Sequence, residues 1–140
     1  MILVDTNVFL EVLFGRSKSG ECTALLDRMS DGLAEGVVTR FSVHAIEAIL
    51  RRQAGGKLTS FLRSIDQTQG LTVYDTATTD EVAASMLMEK IGRDFDDSLQ
   101  YYVAKKLGAE SIVSFDRHFD GLDVPRREPK EIKARTHGEA

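Results

Sequence analysis

A three-layer α/β/α sandwich on a central parallel sheet of four to five strands is the fold class this sequence predicts. Three observations predict it. Short apolar runs closed by polar residues recur at 2–4, 36–39, 71–74 and 111–114, each the length of a buried strand. Stretches with apolar residues at helical spacing lie between them. Strands that alternate with helices in this way build a parallel sheet covered on both faces.

The elements follow in order. Ile2-Leu3-Val4 is a strand ended by Asp5, and residues 7–14 read as a short helix stopping near Gly15. After the polar loop 16–20, Cys22, Leu25, Leu26 and Met29 mark one face of a helix over 20–31, with Gly32 as its stop. Gly36–Thr39 is the second strand. A helix over 42–54 follows, with Ser42 as its N-cap and Val43, Ile46 and Leu50 as its apolar stripe. Gly55-Gly56 breaks it, and residues 58–67 continue with Leu58, Phe61, Leu62 and Ile65 on one face. The third strand is 71–74. Thr78-x-x-Glu81 reads as a capping box opening a helix to about Ile91, and Gly92 closes it. Arg93-Asp94-Phe95-Asp96-Asp97 introduces a helix to Leu107, with Gly108 just past its end. Ser111–Ser114 is the fourth strand, followed by Phe115-Asp116, and Phe119 and Leu122 are expected to fold back on the core.

The domain is expected over residues 1–124. From Pro125 to Ala140 the only large apolar residue is Ile132, so that stretch is expected to be a loosely ordered charged tail. It holds five Lys or Arg against three Glu, which leaves residues 1–124 at −6 out of the total −4. An acidic body argues against a protein that coats nucleic acid by neutralising phosphates. It is compatible with a nuclease whose negative charge is gathered in one metal pocket. The start MILVDTN turns acidic too early for a signal peptide, and no apolar run reaches the ~18 residues of a membrane span. A lone Cys22 forms no internal disulfide, which suits the cytoplasm.

Four acids stand out. Sites in open α/β sheets form beyond the carboxyl ends of the strands. Asp5 follows the first strand and Asp116 the fourth; Glu47 sits in the core-facing stripe of the helix after the second strand; Asp97 opens the helix before the fourth. Carboxylates about 4 Å apart repel by roughly 4 kcal/mol per pair at an effective dielectric near 20. Such a cluster persists when protonated or bridged by a cation, and all-oxygen ligands select Mg2+ or Mn2+. His44, His118 and His137 show no zinc spacing. A divalent ion held by acids activates water and stabilises charge on a phosphoryl oxygen, so the implied chemistry is phosphodiester hydrolysis. Helical phase leaves one choice open, because Asp96 falls nearer than Asp97 to the side carrying Leu99, Val103 and Leu107. Asp94 reads as an N-cap. Arg16, Lys18, Arg93 and Arg117 flank the expected site or its loops and are candidate RNA contacts. Tyr101 is a candidate for base stacking or for packing.

Four motifs in order resemble the PIN domain: Ile2-Leu3-Val4-Asp5-Thr6-Asn7-Val8; the helix containing Ile46-Glu47; Asp97-Ser98-Leu99 with Ala104 and Leu107-Gly108; and Ile112-Val113-Ser114-Phe115-Asp116-Arg117 with Phe119. The resemblance spans Met1 to about Val124 and departs at Ser98, where alanine is usual. It implies a metal-dependent endoribonuclease, the toxin of a VapBC-type toxin–antitoxin pair. Asp5, Glu47, Asp97 and Asp116 match the catalytic acidic quartet, with Asp5, Asp97 and Asp116 as metal ligands for Mg2+ or Mn2+. Asn7 and Ser114 match the supporting polar residues, Asp96 stands beside them, and the resemblance favours Asp97 over Asp96. It also implies a homodimer, an RNA substrate and a small antitoxin partner. Two other readings remain: a non-catalytic PIN-like module binding RNA or protein, and an aspartyl-nucleophile phosphatase. The phosphatase reading wants a second acid two residues after Asp5, where this chain has Asn7.

Overall fold

A computed structural model describes residues 1–133. Five parallel strands form one sheet in the order β3-β2-β1-β4-β5: β1 (Ile2–Val4), β2 (Gly36–Thr39), β3 (Leu71–Tyr74), β4 (Ile112–Val113) and β5 (Arg126–Arg127). Six helices connect them: α1 (Thr6–Leu13), α2 (Ser19–Ser30), α3 (Arg40–Gln53), α4 (Leu58–Gln67), α5 (Thr78–Ile91) and α6 (Phe95–Leu107).

The three layers follow from the two-residue period of the strands. Ile2 and Val4 of β1, Val38 of β2 and Val113 of β4 pack into one core with residues of α1, α2, α3 and α4. Their neighbours Leu3, Val37 and Ile112 face the other way, into a second core with Ala84 of α5 and Leu99, Val103 and Ala104 of α6. With both faces covered, the strands need unbroken apolar runs rather than alternation. The glycine stops at 92 and 108 take left-handed backbone, φ 65° and 69°, which ends α5 and α6 where the sequence places those ends.

Three expectations are corrected. α3 begins at Arg40, straight off β2, so its N-cap is Thr39 and not Ser42; the Ser42 amide donates to Thr39 Oγ1 at 3.0 Å. α5 begins at Thr78, so the reach-back to the N-cap comes from Asp80 rather than Glu81. Its Oδ2 accepts from the Ala77 amide at 2.9 Å, while its Oδ1 accepts from Lys106 Nζ of α6 at 2.7 Å. The tail is not loose where it starts. Val113 pairs with Arg127, the Ile112 amide donates to the Pro125 carbonyl at 3.0 Å, and a 3-10 turn (Pro129–Glu131) follows with Pro129 buried. The sheet edge at β4 offers unpaired backbone groups, and a charged segment satisfies them as well as an apolar one. The rest of the expected tail, 134–140 with His137, lies outside the described residues.

The chain order creates one special place. From β1 the sheet grows outward through β2 and β3, then crosses back so that β4 lands on the other side of β1. The crevice beyond the carboxyl ends of β1 and β4 is therefore the topological switch point, where α/β sheets bind ligands.

Gly70 shows how tightly the opposite, amino-terminal edge is packed. A Cβ there would stand 2.6 Å from the Met29 carbonyl oxygen and closer still to that of Ala34. Gly70→Ala is expected to lower the unfolding free energy by about 2 kcal/mol in urea titrations. Gly56→Ala, with nothing within 4 Å of its added Cβ, is expected to be near neutral.

Candidate active site

Asp5 ends β1 and serves as the N-cap of α1, its Oδ1 accepting from the Thr6 amide at 2.7 Å. The helix-capping role and the site role thus fall on one residue. The parallel register of β1 and β4 runs from Leu3–Ile112 through Val4–Val113, and the Asp5 amide continues it by donating to the Val113 carbonyl at 3.0 Å. Asp5 is thereby set beside Ser114, whose hydroxyl donates to Asp5 Oδ2 at 2.7 Å. The same hydroxyl oxygen accepts from Asn7 Nδ2 at 3.1 Å and from the Asp116 amide at 2.9 Å. Ser114 therefore ties together three of the residues that the sequence picks out.

A fourth tie comes from α6, which packs against β1. Gln100, fully buried, donates from Nε2 to Asp5 Oδ1 at 2.9 Å. Sequence reading missed it. The signal was available: Gln100 sits next to Leu99 and one turn from Asp96 and Val103, and a buried amide needs a partner. Both Asp5 oxygens are thus held. Burial raises the Asp5 carboxyl above the ordinary range; the bonds from Ser114, Gln100 and the Thr6 amide oppose this, and the charge of Asp116 adds to it.

The first turn of α6 carries the next acids. Asp94 is the N-cap, accepting from the Asp97 amide at 2.9 Å, and Phe95 stacks edge-on against Phe41 of α3 with centroids 5.6 Å apart. The turn thus fixed places Asp97, 7% exposed, at the crevice. Burial, then Asp94, Asp116 and Asp5, push the Asp97 carboxyl up to about 6, with His118 opposing. Asp96 also faces the cluster. Burial, then Asp5, Asp97 and Asp94, push it up to about 7 with Gln100 opposing, and its buried Oδ1 has no hydrogen-bond partner. Both Asp96 and Asp97 lie in the shared negative field, and of the two it is Asp97 whose oxygen lies within 4.8 Å of Asp116 and His118.

Asp116 caps a 3-10 turn (Arg117–Phe119), its Oδ1 accepting from the His118 amide at 2.9 Å. Phe119, fully buried, pins that turn to the second core. The turn brings His118 back over the acids, Nδ1 lying 3.3 Å from Asp116 Oδ1 and 3.5 Å from Asp97 Oδ2. Among the described residues, Asp97, Asp116 and His118 each offer an oxygen or nitrogen within 4.8 Å of the others. The scattered histidines 44, 118 and 137 show no zinc spacing in the sequence; only the tight turn makes His118 a neighbour of Asp97. Asp5 stands behind this trio. Glu47, its side chain 25% exposed, is engaged elsewhere, with Oε2 3.0 Å from His44 Nδ1.

The donor set suits a hard divalent cation. Three carboxylates raised by burial and mutual repulsion, an orphaned buried Asp96 oxygen and an imidazole nitrogen all favour a cation among them. A hollow of about 380 Å3 opens onto Asp97 and His118, lined also by Gly92, Arg93, Asp94 and Arg117. A larger one of about 470 Å3, lined by Met1, Gly36, Gly70 and Leu107 among others, lies at the amino ends of the strands, with Glu35 as its only acid. Chemistry, not size, singles out the smaller.

The basic residues divide. Arg117 lines the hollow and is exposed. Arg93 also lines it, but its guanidinium donates to the carbonyls of Ile91, Gly92, His118 and Asp120, clipping the Asp116 turn to the start of α6. Arg16 lies over the Phe14 ring at 5.3 Å, and Lys18 is exposed in the same loop; neither lines the hollow. The Tyr101 hydroxyl donates to Asp123 at 2.6 Å.

A PIN domain family model matches residues 2–125. Among solved structures, the chain is similar to a toxin–antitoxin complex from Klebsiella pneumoniae, at TM-score 0.73 and 12% identity over 94% of this chain and 100% of that one. It is similar to VapC20 of Mycobacterium tuberculosis, a sarcin–ricin loop cleaving toxin, at TM-score 0.66 and 20% identity over 84% and 91%. It is also similar to FitAcB from Neisseria gonorrhoeae, at TM-score 0.62 and 20% identity over 94% and 100%. At these identities the likeness is one of fold. No curated protein matches the chain.

The acid cluster makes stability depend on pH. Asp96 and Asp97 are raised in the fold above 3.8, so between about pH 4 and about pH 7 the folded chain holds more protons than the unfolded one. Stability from these two groups is therefore greatest below that window and falls as pH rises through it. Asp96→Asn removes one repelling charge. It is expected to raise the melting temperature of chelator-treated protein at pH 8 by roughly 2–5 °C, with little change at pH 4. Equal shifts at both pH values would refute the electrostatic account.

Proposed function

The chain belongs to the PIN domain family, and from that premise we propose that it is an Mg2+- or Mn2+-dependent endoribonuclease, the toxin of a toxin–antitoxin pair. The single observation that carries the reading is the meeting of Asp5, Asp96, Asp97 and Asp116 at the β1–β4 switch point. No stable arrangement of four partly buried acids is expected there without a cation or protons.

In this reading Asp97 and Asp116 would hold the ion, and Asp5 would add its charge to the same site. Ser114 and Gln100 hold Asp5 in place, and Asn7 holds Ser114. Glu47 of α3 would orient the attacking water, which requires it to exchange His44 Nδ1 for that water. Bound there, the divalent ion supplies Lewis acidity toward both the scissile phosphate and that water. Arg117 at the mouth of the hollow meets a neighbouring phosphate, with Arg16 and Lys18 as more distant contacts; Arg93 is removed from that role by its carbonyl partners. The engagement of Asn7 with Ser114 disfavours the phosphatase reading, since the position that would carry a general acid carries an amide bound inward.

The partners belong to the same proposal. The toxin–antitoxin complex that the fold resembles supports a small antitoxin, and a homodimer in the cytoplasm fits the toxin reading. Among the described residues no helix is long and apolar enough to cross a membrane.

Purified protein is expected to cleave a mixed pool of structured and single-stranded RNA with Mn2+ or Mg2+ and not with chelator. Asp97→Asn should reduce the rate by more than about a hundredfold while leaving the circular dichroism spectrum unchanged. Cleavage that persists in chelator would end the metal-dependent reading. RNA binding without cleavage under either ion would favour the non-catalytic module.

A further inference from the structure

We propose that His118 is a ligand of the divalent ion through Nδ1, and that this nitrogen makes the site prefer Mn2+ to Mg2+. The inference rests on the metal-dependent reading above.

The geometry comes first. Nδ1 of His118 and one oxygen each of Asp97 and Asp116 lie within 4.8 Å of one another. Two ligands on the same first-row ion, each at about 2.1–2.2 Å, stand no more than roughly 4.3 Å apart. The trio therefore needs only a small contraction to close on a cation. The nitrogen facing the acids is Nδ1, at 3.3 and 3.5 Å, while the side chain is 69% exposed, so Nε2 is left to solvent and Nδ1 would exchange its proton for the cation.

His118 is also held as a ligand should be. Its amide donates to Asp116 Oδ1 at 2.9 Å, its carbonyl accepts from Arg93, and Phe119 beside it is fully buried. The backbone is fixed on both sides, so the imidazole swings on few bonds and needs little ordering to coordinate. An exposed histidine with no function needs no such clamp.

The choice of ion follows from ligand chemistry. Mg2+ demands hard oxygen donors and holds its waters, whereas Mn2+ lies higher in the affinity order for sites that contain nitrogen. An all-acid site discriminates weakly between them. A site of two or three carboxylates and one imidazole discriminates in favour of Mn2+.

The test is nitrogen coupling, which is independent of turnover. The full chain is loaded with Mn2+ and its pulsed electron paramagnetic resonance spectrum recorded for 14N modulation, beside His118→Ala and His118→Gln. Calorimetry measures the affinities for Mn2+ and Mg2+. The wild type is expected to show a 14N coupling that both variants lose. Mn2+ affinity should fall roughly tenfold or more, the scale seen when even outer partners of a metal are removed, and Mg2+ affinity by less than about threefold. His118→Gln keeps a polar side chain in the turn and stands in if the alanine variant misfolds. A coupling unchanged in either folded variant, or Mn2+ bound with no 14N coupling in the wild type, would overturn the role of His118 and leave the metal-dependent reading intact. Failure to bind either ion would overturn both.

Discussion

Negative charge that cannot spread out is the constraint on which the rest of this molecule depends. At the β1–β4 switch point, Asp5, Asp96, Asp97 and Asp116 share a partly dehydrated space, and the fold makes each harder to ionise or holds it with donors. Mutual repulsion of this kind costs several kcal/mol. The surrounding structure bears it in part because two of the acids also have a local task and the backbone of a third is capped. Asp5 caps α1, Asp116 caps the turn that follows β4, and the Asp97 amide is capped by Asp94. Local backbone hydrogen bonds thus oppose a repulsion that acts across elements.

Two uncharged side chains convert that tolerance into a defined geometry. Ser114 receives Asn7 and the Asp116 amide while donating to Asp5, and Gln100 reaches Asp5 from the opposite layer. Asp5 is consequently fixed by β1, β4, α1 and α6 together. A site assembled from four elements is stiff where strands and helix ends meet, and its open side is the hollow under Arg117 and His118. The clip made by Arg93 shows the same economy: a cation expected at the RNA surface instead anchors the loop that carries His118.

The sheet edge teaches a related lesson about charge and order. Arg126 and Arg127 look like part of a solvated tail, yet they form β5, because β4 is buried and its outer backbone groups would otherwise go unpaired. Arg126 then returns to the body, bonding to Asp120 at 2.7 Å and to the Ser114 carbonyl at 3.1 Å. Composition predicts burial, and backbone satisfaction predicts pairing; here the second decided.

The amino-acid order by itself determined the layers, the parallel sheet, most helix limits and three of the acids that meet, Asp5, Asp97 and Asp116. Those features are written in short-range periodicity: apolar runs of strand length, stripes at helical spacing, glycines at helix ends, and acids at the ends of strands or the starts of helices. Tertiary structure alone decided what those residues touch. Gln100 is an ordinary polar residue until α6 packs on β1, and His118 is a stray histidine until Phe119 buries and turns it toward Asp97. Glu47, which the helical stripe points toward the core, is held by its neighbour His44 instead. Periodicity fixes the face on which a side chain lies, but partners more than ninety residues apart, such as Asp5 with Gln100 and Ser114, are set only when strand register and helix packing bring their elements together.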